Sequence, residues 1–253
     1  MDMAKMSKRK KRALIWGFSA AAVLLAICAA FFIYVSIYYE ADEEAIDAFA
    51  PMGSALISED EDGNLLFSPS EGEASCGFIF YPGGKVEHRA YAPLMAALAE
   101  RGIFSVLIDM PFNLAVFDIS AAEGIAERYP EIEDWYIGGH SLGGSMAASY
   151  LEDGTGEFSG LVLLGSYSTA DLSKSGLRVL SVFGSEDGIM DREKYEECKN
   201  NLPSDYVEII IEGGCHAYFG MYGEQDGDGQ AKITPEEQIN MTADGILQLV
   251  SGE

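Results

Sequence analysis

The chain has 253 residues, is 48% hydrophobic and carries a formal net charge of −25. That length suits one α/β domain with a short appendage, and the apolar content excludes a disordered chain. The acid excess argues against binding nucleic acid through phosphate contacts.

The charge is unevenly divided. Residues 1–39 hold six bases (Lys5, Lys8, Arg9, Lys10, Lys11 and Arg12) and one acid, Asp2, whereas residues 40–253 hold 10 bases against 40 acids. The acidity of the body reads as solubility and mutual repulsion.

Ala13 to Tyr39 is a run of 27 residues without a charge. As a helix it would reach ~40 Å, against ~30 Å for the hydrocarbon core of a bilayer. Trp16 lies near one end and Tyr34, Tyr38 and Tyr39 near the other, where interfacial aromatics sit. A cleaved signal peptide would have a shorter apolar region and small residues at the cut. This run ends in large aromatics, and Ile27 precedes Cys28 where a lipoprotein cut needs a small residue. The sequence therefore predicts a transmembrane anchor over 13–39. By the positive-inside rule, residues 1–12 form a basic cytoplasmic tip and the body lies outside the cell membrane.

Residues 40–63 read as an acidic, partly helical juxtamembrane segment ending in the turn signal Glu61-Asp62-Gly63. From 64 to 253 a single alternation runs to the end. Strand-length apolar runs are Cys76–Tyr81, Ile103–Ile108, Trp135–Gly138, Leu161–Leu164, Val179–Phe183 and Val207–Ile211. Between them, Tyr91, Leu94, Met95 and Leu98 recur at helix spacing before Gly102. Ala121–Arg128, Leu142–Leu151, Arg192–Asn201 and Pro235–Val250 also read as helices. Such alternation predicts an α/β fold with a mostly parallel sheet and helices on both faces. Ligand sites in such sheets lie beyond the carboxyl ends of the strands.

Gly139-His140-Ser141-Leu142-Gly143 fits the nucleophile-elbow pattern G-x-S-x-G. The match alone is weak. Its context carries it, because it follows one predicted strand and opens a predicted helix. A sharp turn there holds the serine hydroxyl above the sheet, beside a helix N-terminus that favours negative charge. Serine needs a base. Of the three histidines, His140 adjoins Ser141 and His88 lies well upstream. His216 follows the strand Val207–Ile211 and is the candidate base. The orienting acid should fall between the two in the chain. Asp187, just past Val179–Phe183, is the candidate, with Glu186 and Asp191 as rivals. Oxyanion donors are expected from Leu142 N–H and from the loop Pro82-Gly83-Gly84-Lys85, through Gly84 or alternatively Lys85.

Other signals are weaker. Cys76, Cys198 and Cys215 form neither a disulfide framework nor a metal pattern, and Cys28 lies in the apolar run. Asp226-Gly227-Asp228-Gly229-Gln230 is like part of a calcium loop, but Ala231 stands where that loop needs glycine. It reads as a flexible acidic loop. The expected chemistry uses no cofactor and no metal.

Together, Tyr81-Pro82-Gly83-Gly84-Lys85, Gly138-Gly139-His140-Ser141-Leu142-Gly143-Gly144, Gly184-Ser185-Glu186-Asp187-Gly188 and Gly213-Gly214-Cys215-His216 resemble the α/β-hydrolase superfamily. More closely, they resemble small bacterial dienelactone-hydrolase-like members with an N-terminal anchor. Met110-Pro111-Phe112-Asn113-Leu114 and the Phe219–Gly229 stretch add to that likeness, which spans about residues 64–250. The resemblance implies the α/β-hydrolase fold, with Ser141 as nucleophile, Asp187 as acid and His216 as base. Dienelactone hydrolase uses cysteine where Ser141 stands, so its substrate does not carry over. Only Gly165 to Arg178 separate Leu164 from Val179, too few residues for the cap domain many relatives insert there. An open site is expected, with Asn113 on its rim. The leading expectation is a serine hydrolase acting on an ester or related acyl bond of a small-molecule substrate. The alternatives are a silent scaffold acting as a binding protein, and an acyltransferase or peptidase on the same triad.

Overall fold

A computed structural model describes residues 8–154, 156 and 158–252. The chain divides into two compact units, Met1–Tyr38 and Tyr39–Glu253.

The described part of the first unit is dominated by one helix, α1 (Lys8–Ser36). Its stretch Trp16–Ser36, 21 residues with a mean hydropathy of 2.5, is long and apolar enough to cross a membrane. The helix stops three residues short of the expected 13–39 run. Tyr39 instead pairs with Val86 in an isolated parallel bridge.

The second unit is built on an eight-stranded sheet in the order β1-β2-β4-β3-β5-β6-β7-β8. The strands are β1 (Ala55–Glu59), β2 (Leu65–Pro69), β3 (Cys76–Tyr81), β4 (Ile103–Leu107), β5 (Trp135–His140), β6 (Phe158–Leu164), β7 (Arg178–Gly184) and β8 (Val207–Ile211). β3 to β8 are mutually parallel, and β1 and β2 add antiparallel pairs at one edge. The six parallel strands are the six read from the sequence. β1 and β2 went unread.

Side-chain alternation splits the core across the sheet. Phe78 and Phe80 of β3 face one cluster, with Leu94, Met95 and Leu98 of α3 (Ala92–Glu100) and Ile239 and Ile246 of α6 (Pro235–Ser251). Ile79 and Tyr81 face the other cluster, with Ala147 and Ala148 of α4 (Leu142–Tyr150). Helices thus cover both faces. α6 opens on a capping box between Thr234 and Glu237, with Pro235 in its first turn, where a missing N–H costs least.

The segment 40–63 holds α2 (Glu43–Ala48), a 3₁₀ turn at Ala50–Ser54 and β1. Ile46 and Phe49 bury their side chains in the core of the second unit. The helix expected over Ala121–Arg128 does not form. Gly124 takes φ +74° and interrupts it, leaving turns and a short 3₁₀ segment at Ala126–Arg128.

Candidate active site

The sheet brings three of its carboxyl ends together. β5 runs straight into α4, and Ser141 is the single residue of the turn, at φ 52° and ψ −120°. A non-glycine residue is strained there and persists only if its surroundings hold it. Two bonds do so. Ser141 N–H donates to Leu164 O at the end of β6 (2.9 Å), and Ser166 Oγ donates to Ser141 O (2.7 Å).

His216 lies in the loop after β8 and is 1% exposed. Its Nδ1 is 2.8 Å from Asp187 Oδ2, in the loop after β7. The other carboxylate oxygen accepts the amides of Ile189 (2.9 Å) and Met190 (2.8 Å). Burial works to raise the Asp187 carboxyl. The bond and charge of His216 and the two amides outweigh it and hold the group below its usual range. The rival acids are occupied elsewhere. Glu186 pairs with Lys232 (2.7 Å), and Asp191 caps α5 (Arg192–Cys198) through Lys194 N–H (3.0 Å).

Two residues near Ser141 lie against His216: His140, its chain neighbour, and Gly165, next to its hydrogen-bond partner Leu164. The ring of His140 lies 4.4 Å from the His216 ring, centroid to centroid. Gly165, next after Leu164, has φ +50°, and a Cβ there would lie 2.9 Å from His216 Nδ1 and 3.2 Å from Asp187 Oδ2. Among the described residues, Ser141 Oγ makes no hydrogen bond to His216. Such bonds often tighten only when substrate is bound.

The two residues expected to supply oxyanion donors lie against each other. A Cβ on Gly84 would fall 2.9 Å from Leu142 Cδ2. Lys85, at φ 61°, already donates its N–H to Asn113 O (2.7 Å), and Gly83 donates to Tyr91 Oη (3.1 Å). Among the described residues, neither Gly84 N–H nor Leu142 N–H has a hydrogen-bond acceptor. Asn113 therefore meets the loop through its carbonyl.

His140 and His88 play other parts. His140 is buried, and Tyr91 Oη lies 2.7 Å from its Nδ1. Burial, then the neighbouring His216, lowers its pKa well below 6.5, so the ring stays neutral. His88 faces Asp109 at 3.3 Å. Cys215, beside His216 in the chain, is buried, and burial pushes its thiol up to about 12. A thiol so protonated is no rival nucleophile.

Two residues in the site's framework went unread. Tyr91 links Gly83 to His140, but its spacing reads only as core. Asp228 accepts Gly188 N–H (3.0 Å), Ala217 N–H (2.8 Å) and Gly229 N–H (2.8 Å), fastening the Asp187 loop to the His216 loop. The acidic loop is thus tied into the site.

The sequence profile of the alpha/beta hydrolase family matches residues 77–240, spanning β3, the elbow and both loops. The chain belongs to this family. The fold of this hydrolase recurs in solved structures. A Thermus thermophilus protein of 14% identity aligns at TM-score 0.60, over 79% of this chain and 99% of its own. An esterase from Pyrobaculum calidifontis, 16% identical, aligns at 0.56 over 83% and 90%. A dienelactone hydrolase from Anabaena variabilis, 14% identical, aligns at 0.55 over 77% and 98%. No curated protein matches the chain.

Proposed function

We propose that the chain is a membrane-anchored serine hydrolase that cleaves an ester or related acyl bond through Ser141, His216 and Asp187. One observation carries this reading. The buried Asp187–His216 pair, 2.8 Å apart, lies beside a serine held at a strained positive φ on the elbow. The esterase and the dienelactone hydrolase that share the fold are in keeping with acyl-bond chemistry.

The proposed reaction uses these groups in turn. Ser141 Oγ attacks the substrate carbonyl carbon as His216 Nε2 takes the hydroxyl proton. Asp187 holds the Nδ1–H and stabilises the imidazolium. The carbonyl oxygen becomes an oxyanion and accepts the free N–H groups of Gly84 and Leu142 at the start of α4. His216 then passes its proton to the leaving oxygen, which departs as the alcohol and leaves an acyl-Ser141 ester. Water attacks that ester, giving its proton to His216. Collapse returns the proton to Ser141 and releases the acid.

The proposed arrangement is a cytoplasmic tip over 1–12, an anchor helix within 13–39, a connecting segment over 40–63 and the catalytic body outside the cell membrane. Six bases before the apolar helix and an acid cluster after it support that orientation. Two experiments test the reading. A fluorophosphonate, which reacts with activated serines, should label the full chain. Protease added to intact spheroplasts should digest the body. Protection until lysis would reverse the orientation.

A further inference from the structure

Tyr39 is the first residue of the second unit, and only Ile37 and Tyr38 separate it from the end of α1. It is bound on both sides to the loop that carries Gly84. Tyr39 N–H donates to Lys85 O (2.8 Å), and Tyr39 O accepts Glu87 N–H (2.9 Å). Ala41 N–H then donates to Glu87 Oε2 (2.9 Å), and Asp42 N–H to Met221 O (2.9 Å).

The same residues hold the segment that follows His216. The Tyr39 ring lies 5.6 Å from the Tyr222 ring, and the Tyr39 hydroxyl accepts Asp226 N–H (3.3 Å). Met221 N–H donates to Ala90 O (2.7 Å), closing the link back to the chain beyond the Gly84 loop. Residues 39–42 therefore bond to the loop after β3 and to the loop that bears the histidine.

This matters because of Lys85. It holds a positive φ of 61°, a conformation that a non-glycine residue keeps only under constraint. Its N–H is tied to Asn113 and its carbonyl to Tyr39. With the Lys85 backbone gripped on both sides, the adjoining Gly84 is held where a Cβ would lie 2.9 Å from Leu142 Cδ2. An oxyanion donor has to be fixed before charge develops, because a shift of about 1 Å is enough to lose much of its effect.

We propose that Tyr39–Asp42 is a positioning strap that fixes the oxyanion loop against the histidine loop, so the chain leaving the apolar helix is part of the catalytic geometry. The proposal rests on the serine hydrolase reading above. It also distinguishes two cleavages: a cut at residues 37–38 spares the strap, and a cut beyond residue 42 removes it.

The test uses the full chain in detergent, a fluorophosphonate as probe and p-nitrophenyl acetate as substrate. Labelling to completion counts folded sites, and the labelling rate reports their geometry. Tyr39→Pro, which removes the N–H given to Lys85 O, and Glu87→Ala should each label to parental stoichiometry. Labelling rate and kcat should both fall roughly tenfold, with KM within about twofold, because the strap touches no substrate. Glu87→Gln, which keeps an acceptor for Ala41 N–H, should restore most of the loss. Parental rates in both Tyr39→Pro and Glu87→Ala at full stoichiometry would overturn the strap, as would equal losses in Glu87→Ala and Glu87→Gln. Failure of the parent chain to label would overturn the serine hydrolase reading itself, and the strap with it.

Discussion

Gly84 and Leu142 approach so closely that a Cβ on Gly84 would lie 2.9 Å from Leu142 Cδ2 and 3.3 Å from its Cβ. One residue leads out of β3 and the other opens α4, and the proposed oxyanion would occupy the space beside their amides. Gly84→Ala should push the loop away from that space. We expect kcat to fall ~10²-fold with KM little changed, the pattern of a donor used only in the transition state. Steady-state kinetics on any ester the enzyme turns over checks this. An unaltered kcat would remove Gly84 from the oxyanion site.

His140 makes stability depend on pH. Its ring stays neutral when folded but takes a proton near its ordinary value of 6.5 when unfolded. The unfolded chain therefore binds more protons as pH falls through that value. The contribution is full above about 6.5 and is lost as pH drops toward the lower folded value. His88 shifts in the same direction through burial and stays as background in a variant. Thermal melts of parent and His140→Asn at pH 7 and pH 5 isolate the effect. The gap in Tm between them should narrow at pH 5. A constant gap would show that His140 does not carry it.

Residues 165–177, between β6 and β7, hold neither helix nor strand. With no cap inserted there, we expect an open site without a lid to exclude water or to measure acyl length. The rate against acyl chain length should change gradually from two to eight carbons. Adding lipid vesicles should alter it by less than about twofold. A tenfold jump with vesicles would contradict an open site.

Most of the fold was legible because parallel strands buried on both faces leave continuous apolar runs, as in Cys76–Tyr81. β1 left no such trace. Four of its five residues are exposed, so nothing in Ala55–Glu59 repeats with burial. β2 ends in Pro69, which a strand beside the sheet edge tolerates but which hides it in a sequence. The candidate site was legible where the proposed chemistry demands a residue type, as at Ser141 and His216. The choice among Glu186, Asp187 and Asp191 depends on which carboxylate the turn after β7 aims at His216, and neighbouring acids look alike in sequence. Tyr91 acts through its hydroxyl, Asp228 through its carboxylate and Tyr39 through its backbone, each on groups brought near only by folding, and no local pattern announces that.

Activation of Ser141 by His216 underlies the proposed function. Intact-mass and peptide analysis of the full chain after fluorophosphonate treatment tests it most directly. One adduct per chain is expected, on Ser141. It should be absent in Ser141→Ala and slowed at least ~10³-fold in His216→Ala, both variants melting near the parent. An adduct on another residue, or a Ser141 that labels as fast without His216, would contradict it.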